Sequence, residues 1–215
     1  MSWAYIENSE YSASEEAFNV VTHGAGLLLG VLGGAAALQQ AQTPTQWWSV
    51  LVYSTTLCLL FLASTLYHAV HHSHLKPWLQ KLDHASIYLF IAGSYTPFLF
   101  VSLQDSAWKW PLFAMVWGMA LLGVVIKAIS VVRFSAMSMV LYVAMGWLVV
   151  LAARDMIAAL PTPALVLLAL GGLSYTGGIV FFVKDQWKFN HAVWHLFVLL
   201  GVGAHFTSIY AYVLQ

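Results

Sequence analysis

Long apolar runs broken by short polar stretches dominate the chain, and the length of those runs predicts its elements. A helix crossing a hydrocarbon core of about 30 Å needs about 20 mostly apolar residues, because each residue rises about 1.5 Å. Seven runs reach that length: residues 17–38, 48–69, 84–102, 108–129, 134–156, 163–183 and 191–214. No Asp, Glu, Lys or Arg stands in the middle of any of them. Lys127, Arg154 and Asp155 fall within about a turn of a span end, where long basic chains are expected to snorkel. The pattern predicts an all-α integral membrane protein, with residues 17–215 forming one seven-transmembrane-helix bundle after an N-terminal segment, 1–16. That segment holds Glu7, Glu10, Glu15 and Glu16 and no basic residue, which is not the make-up of a cleavable signal peptide.

Composition excludes the soluble alternative. Of 215 residues, 61% are hydrophobic and 7% charged, with a mean hydropathy of +0.79, where soluble domains carry roughly 25% charged residues. Eight basic and eight acidic residues balance to zero, which gives no electrostatic footprint for nucleic acid. The single cysteine, Cys58, excludes an internal disulfide framework. Basic residues set the expected orientation: Lys76, Lys81, Lys127, Arg133, Lys184 and Lys188 fall on the side of the N-terminus, against Lys109 and Arg154 opposite. By the positive-inside rule the N-terminus is expected in the cytoplasm and the C-terminus outside, the reverse of G-protein-coupled receptors.

Small and breaking residues refine the picture. Gly24, Gly26, Gly30, Gly33 and Gly34 in the first span, and Gly171, Gly172, Gly177 and Gly178 in the sixth, suit close helix packing. Pro97 removes a backbone bond to Gly93 and predicts a kink near the middle of the third span. Ser-Tyr-Thr occurs at 94–96 and again at 174–176, too short a match for an internal repeat. Trp47, Trp48, Trp108 and Trp110 sit at span ends, as an aromatic belt requires.

Two helical i, i+4 pairs carry the candidate chemistry: Ser64 with His68 at the end of the second span, and His191 with His195 at the start of the seventh. Residues four apart share a helix face. Asp83 opens the third span. With alternating span directions, Ser64, His68, Asp83, His191 and His195 all fall at one depth, near the expected cytoplasmic end. Three imidazoles and an open position form a catalytic zinc arrangement, and a buried Asp is less costly beside a cation. On this reading Asp83 and Ser64 surround the reacting water while His68, His191 and His195 hold the metal; the alternative is a set of hydrogen-bonded interfacial histidines. Metal binding needs neutral imidazoles, so occupancy is expected to fall as pH drops through about 6.

The remaining histidines divide differently. His23, beside Thr22 and Asn19 at the same depth, is a partner of the site or a substrate contact, or else a packing residue, and Tyr67 is a further contact candidate. His71, His72 and His74 read as solvated loop residues or an adventitious metal site. His84, turned about 100° from Asp83 on its helix, reads as packing, and His205, more than two turns beyond His195, as structural.

Taken together, several segments resemble the hemolysin III family, the bacterial branch of the progestin and adipoQ receptor proteins. They are Glu15-Glu16, Asn19 and Thr22-His23-Gly24; Ala63-Ser64-Thr65-Leu66-Tyr67-His68; Asp83-His84, Ile87-Tyr88 and Ala92-Gly93-Ser94-Tyr95-Thr96-Pro97-Phe98; Asn190-His191-Ala192-Val193-Trp194-His195; and His205-Phe206. The resemblance implies a seven-helix bundle with a cytoplasm-facing zinc site, ligated by His68, His191 and His195, with Asp83 and Ser64 around its water. It also implies kinship with alkaline ceramidases, hence lipid amide hydrolysis. The expected function is therefore zinc-dependent hydrolysis of lipid amides or esters in membrane lipid homeostasis, in the bacterial inner (plasma) membrane and with membrane lipids as partners. The competing expectations are a cytolytic pore, poorly supported because no span carries a run of charges, and a metal-stabilised regulator of membrane state without turnover.

Overall fold

The computed structural model describes residues 11–71, 74–184 and 187–215, and seven of its helices are long and apolar enough to cross a membrane. They are α1 (Ala13–Gln40), α2 (Pro44–Ala69), α3 (Lys76–Ser102), α4 (Lys109–Ile129), α5 (Ser135–Ala159), α6 (Thr162–Val183) and α7 (Asn190–Val213). No strand occurs among the described residues. Glu7, Glu10 and His72 lie outside them.

Local chemistry moves the helix starts away from the edges of the apolar runs. Ser12 caps α1 and forms a capping box with Glu15, so the helix begins at Ala13 and takes Glu15 and Glu16 into its first turn. Thr43 and Gln46 form a second box at α2, with Pro44 in the first turn, where a missing N–H costs nothing. α3 begins at Lys76, which places Asp83 two turns inside the helix rather than at its opening. α2 stops at Ala69, where Val70 turns extended.

Two irregular turns have identifiable causes. Pro97 falls near the end of the longer α3, where the helix widens into a π turn over Phe98–Ser102; the expected mid-helix position does not hold. In α5 the Tyr95 hydroxyl enters the backbone ladder, donating to the Met145 carbonyl at 2.7 Å and accepting from the Val149 N–H at 3.0 Å. The adjoining Leu148–Ala152 stretch is correspondingly a 3₁₀ helix.

α1 packs on α2 and α7, α2 on α3, α3 on α4, and α6 on α7, while α5 touches α3, α4 and α6 more thinly. α3 is the inner helix, the most buried of the seven along its apolar stretch, and α6 the least. Every glycine singled out from the sequence in α1 and α6 faces a neighbouring helix within 4 Å of a would-be Cβ, most tightly at Gly26, Gly34, Gly171 and Gly178. Lys127 departs from the expected snorkelling. It is fully buried, and its ammonium donates to the Val131 carbonyl at 2.9 Å, just past the C-terminus of α4, where carbonyls and the helix dipole both favour a cation.

Candidate metal centre

The site lies where the N-terminal turns of α1, α3 and α7 meet the last turn of α2. His68, His191 and His195 each offer a ring nitrogen, and these atoms lie within 4.8 Å of one another. The ring centroids of His191 and His195 are 4.6 Å apart, and His68 is 5.0 Å from His191 and 5.3 Å from His195. His68 and His195 are buried and His191 is half-buried.

Hydrogen bonds fix which nitrogen each of two rings presents. Nδ1 of His68 lies 2.5 Å from Oε2 of Glu16. A carboxylate only accepts, so the proton sits on Nδ1 and the lone pair on Nε2. That Nε2 is buried and has no hydrogen-bond partner, which would cost about 1–3 kcal/mol if nothing ever filled it. His195 follows the same logic. Thr22 Oγ1 spends its proton on the Phe18 and Asn19 carbonyls, at 2.8 and 3.0 Å, so it accepts from Nδ1 of His195 at 3.0 Å. Nε2 of His195 is again the free lone pair. Buried, tautomer-fixed imidazole lone pairs converging from two helices, with a third imidazole on the same face, fit a divalent cation.

Asp83 and Ser64 form the adjoining wall. The Ser64 hydroxyl donates to the Asp83 carboxylate and accepts from Nδ1 of His23 at 2.7 Å. His23 stacks flat on His195, with centroids 3.5 Å apart and planes 10° from parallel, and its buried Nε2 has no partner. Ser64, Asp83, His23, His191 and His195 line one cavity of about 130 Å³, which runs inward past Phe90, Tyr95 and Tyr175 to His205. Met139, Val143 and Trp147 of α5 and Thr176 and Ile179 of α6 form its far wall, so the cavity reaches the loosely packed seam between those helices.

The structure thus brings together the three candidate ligands, Asp83, Ser64 and His23. Tyr67 packs edge-on to His68 at 4.8 Å and against Lys76, outside the cavity wall. His84 is buried and lines the same cavity, and His205 donates through Nε2 to the Leu168 carbonyl at 3.2 Å. His71 and His74 are exposed. The apolar pattern misses Glu16 as a site element, because the charge of Glu16 places it in the N-terminal segment 1–16. A signal existed: Glu16, Asn19, His23, Gly26 and Gly30 recur at three- and four-residue spacing and form the buried stripe of α1. α1 supplies no ligand yet contacts His68, Ser64 and His195, and Glu15 also accepts from the Phe189 N–H at 2.9 Å. That contact holds the left-handed residue (φ 58°) from which α7 starts.

A seven-helix membrane bundle with a buried three-histidine cluster at one end defines a class of polytopic membrane protein with a candidate metal centre. The chain belongs to the haemolysin-III related family, whose model matches residues 11–206, within the progestin and adipoQ receptor proteins. It is 38% identical to Hemolysin-3 of Bacillus cereus over 203 residues, covering 93% of this chain and 92% of that protein. It is 36% identical to the Hemolysin-3 homolog of Bacillus subtilis (strain 168), covering 94% and 96%. The human monocyte to macrophage differentiation factor is 33% identical over 214 residues, covering 92% and 84%.

Proposed function

We propose that the protein is a zinc-dependent hydrolase of a lipid amide or ester, acting from the cytoplasmic side of a bacterial inner membrane in lipid homeostasis. One observation carries the reading: His191 and His195 of the histidine cluster line one cavity with a hydrogen-bonded Asp83–Ser64 pair, and that cavity extends as an apolar channel toward a thin helix seam. Lipid carbonyls reside at this depth, and an acyl chain can enter the cavity sideways without leaving the bilayer.

His68, His191 and His195 would hold the zinc. When bound there, it supplies Lewis acidity for a carbonyl oxygen and makes water ionisable near neutral pH. Asp83 accepts the proton of the attacking water as its oxygen bonds to the carbonyl carbon, and returns that proton to the amine or alkoxide that leaves as the C–N or C–O bond breaks. Ser64 steadies the Asp83 carboxylate and is placed to donate to the developing oxyanion when it turns from Asp83. Phe90, Ile91 and Tyr175 exclude bulk water along the channel. Imidazole ligands and availability favour zinc over other divalent ions.

The test is elemental analysis of detergent-purified protein prepared without chelator, followed by a screen of lipid amides and esters with Asp83→Ala as control. About one zinc per chain, with turnover that vanishes in Asp83→Ala, is the expected result. Zinc-free, well-folded protein would sink the mechanism. The names of the Bacillus relatives favour a second reading, cytolysis. Lysis of erythrocytes or vesicles that persists unchanged in Asp83→Ala would separate it from hydrolysis, and zinc binding without turnover would favour the regulator.

A further inference from the structure

Glu16 is a carboxylate buried in the first turn of a membrane-spanning helix, where an uncompensated charge costs several kcal/mol. Both of its oxygens are committed. Oε2 accepts from His68 Nδ1 at 2.5 Å, and Oε1 accepts from Lys76 Nζ at 3.0 Å. Lys76 is itself tied down, donating to the Tyr67 carbonyl at 3.0 Å and lying 4.5 Å above the Tyr67 ring. The run Lys76–Glu16–His68 therefore joins α3, α1 and α2 and ends on the one buried His68 nitrogen that has no partner, Nε2.

We propose that Glu16 is a positioning residue for the metal, acting through His68, and that Lys76 holds it in that role. An isolated imidazole carries its neutral-state proton on either nitrogen, and a proton on Nε2 would remove the lone pair that faces His191 and His195. Glu16 accepts only at Nδ1, so it selects the tautomer, fixes the ring plane and makes Nε2 a stronger donor to a cation. The same contact explains why a carboxylate that binds no metal itself sits in the apolar end of α1. The inference rests on the metal part of the function proposed above and is independent of hydrolysis.

A merely structural ion pair between α1 and α2 would affect folding with or without metal. The discriminating experiment measures zinc affinity in detergent by competition with a chromophoric chelator, alongside thermal unfolding of the metal-stripped protein. Glu16→Gln keeps an acceptor at Nδ1 but removes the charge. It is expected to weaken zinc binding about 10–100-fold, the usual effect of losing such a partner, while the metal-free unfolding temperature stays near wild type. Glu16→Leu should lose more, and Glu16→Asp should recover part of the loss. Lys76→Met should weaken zinc binding less than Glu16→Gln, and it decides the matter if the leucine variant does not fold. Wild-type zinc affinity in Glu16→Gln overturns the proposal and leaves the metal site standing. Equal destabilisation with and without zinc also overturns it, in favour of a structural pair. A wild-type chain that binds no zinc overturns this proposal and the metal reading together.

Discussion

At the end of the bundle where α1, α2, α3 and α7 meet, polar side chains are buried and several of their atoms face one another without hydrogen-bond partners; at the opposite end they are paired off locally. At the first end, His68 Nε2 and His23 Nε2 are buried and unpartnered, whereas the connections at 41–43, 103–108 and 160–161 contribute no such atom among the described residues. At that opposite end Ser106 bonds Asp155, Gln46 closes the α2 capping box and Gln40 donates to the Tyr210 carbonyl at 3.0 Å. Both ends answer the same demand, that backbone and side-chain polar groups leaving the hydrocarbon be satisfied. One does so with bonds made within its own connections among the described residues. The other keeps lone pairs aimed at a shared point, which costs stability unless a ligand fills it. Convergent dissatisfaction, rather than the mere presence of histidine, marks the candidate functional end.

Substitutions can break that contrast from the larger side first. Asp83→Asn keeps the shape of the wall and removes the proton acceptor, so turnover of a lipid amide or ester should fall about 10²–10⁴-fold while zinc content stays near wild type. Loss of zinc along with activity would instead make Asp83 a ligand. His191→Ala should remove about a quarter of the roughly 10–16 kcal/mol with which four-ligand zinc sites bind, or about 10²–10³-fold in affinity. Chelator competition reads this directly, and wild-type affinity in the variant would dismantle the cluster as a metal centre. Thr22→Val deletes one acceptor at His195 Nδ1 and leaves the Asn19 carbonyl as the other. A single hydrogen bond of about 0.5–1.5 kcal/mol predicts only a 2–10-fold weakening of zinc binding. A larger loss would mean that Thr22 alone sets the ring.

The contrast between the ends was partly legible in the sequence. All seven spans were readable because bilayer thickness forces run length, and their errors lie at the polar ends, where α1 and α3 extend beyond the apolar run on capping and interfacial residues. Alternating span direction placed His68, His191, His195, Ser64 and Asp83 at one depth, and helical spacing put each pair on one face, which is why the cluster could be anticipated. Depth does not reveal azimuth, however. Lys127 was expected to reach the interface and turns inward instead, and Glu16 was set apart from the bundle by its charge although its spacing to Asn19 and His23 marks an inner face. Tyr95 was visible only as part of a short motif; its insertion into the α5 ladder depends on how two helices cross, which no single run of residues encodes.

The smallest expected effect on zinc binding belongs to the paired end and sharpens the comparison by its smallness. Ser106 bonds Asp155 and accepts from the Trp108 N–H at 3.0 Å, so it closes the turn between α3 and α4 and ties it to α5. Ser106→Ala frees the Asp155 carboxylate, which is only half-buried, to take water instead. The loss is therefore that of an ordinary hydrogen bond, about 0.5–1.5 kcal/mol, and not that of a stranded buried charge. Thermal unfolding in detergent should register it as a modest drop in Tm, while zinc affinity stays at the wild-type value because Ser106 and the histidine cluster sit at opposite ends of the bundle. A zinc affinity that moved with Ser106 would show the two ends to be coupled through α3, whose residues run from Asp83 at one end to the 103–108 connection at the other.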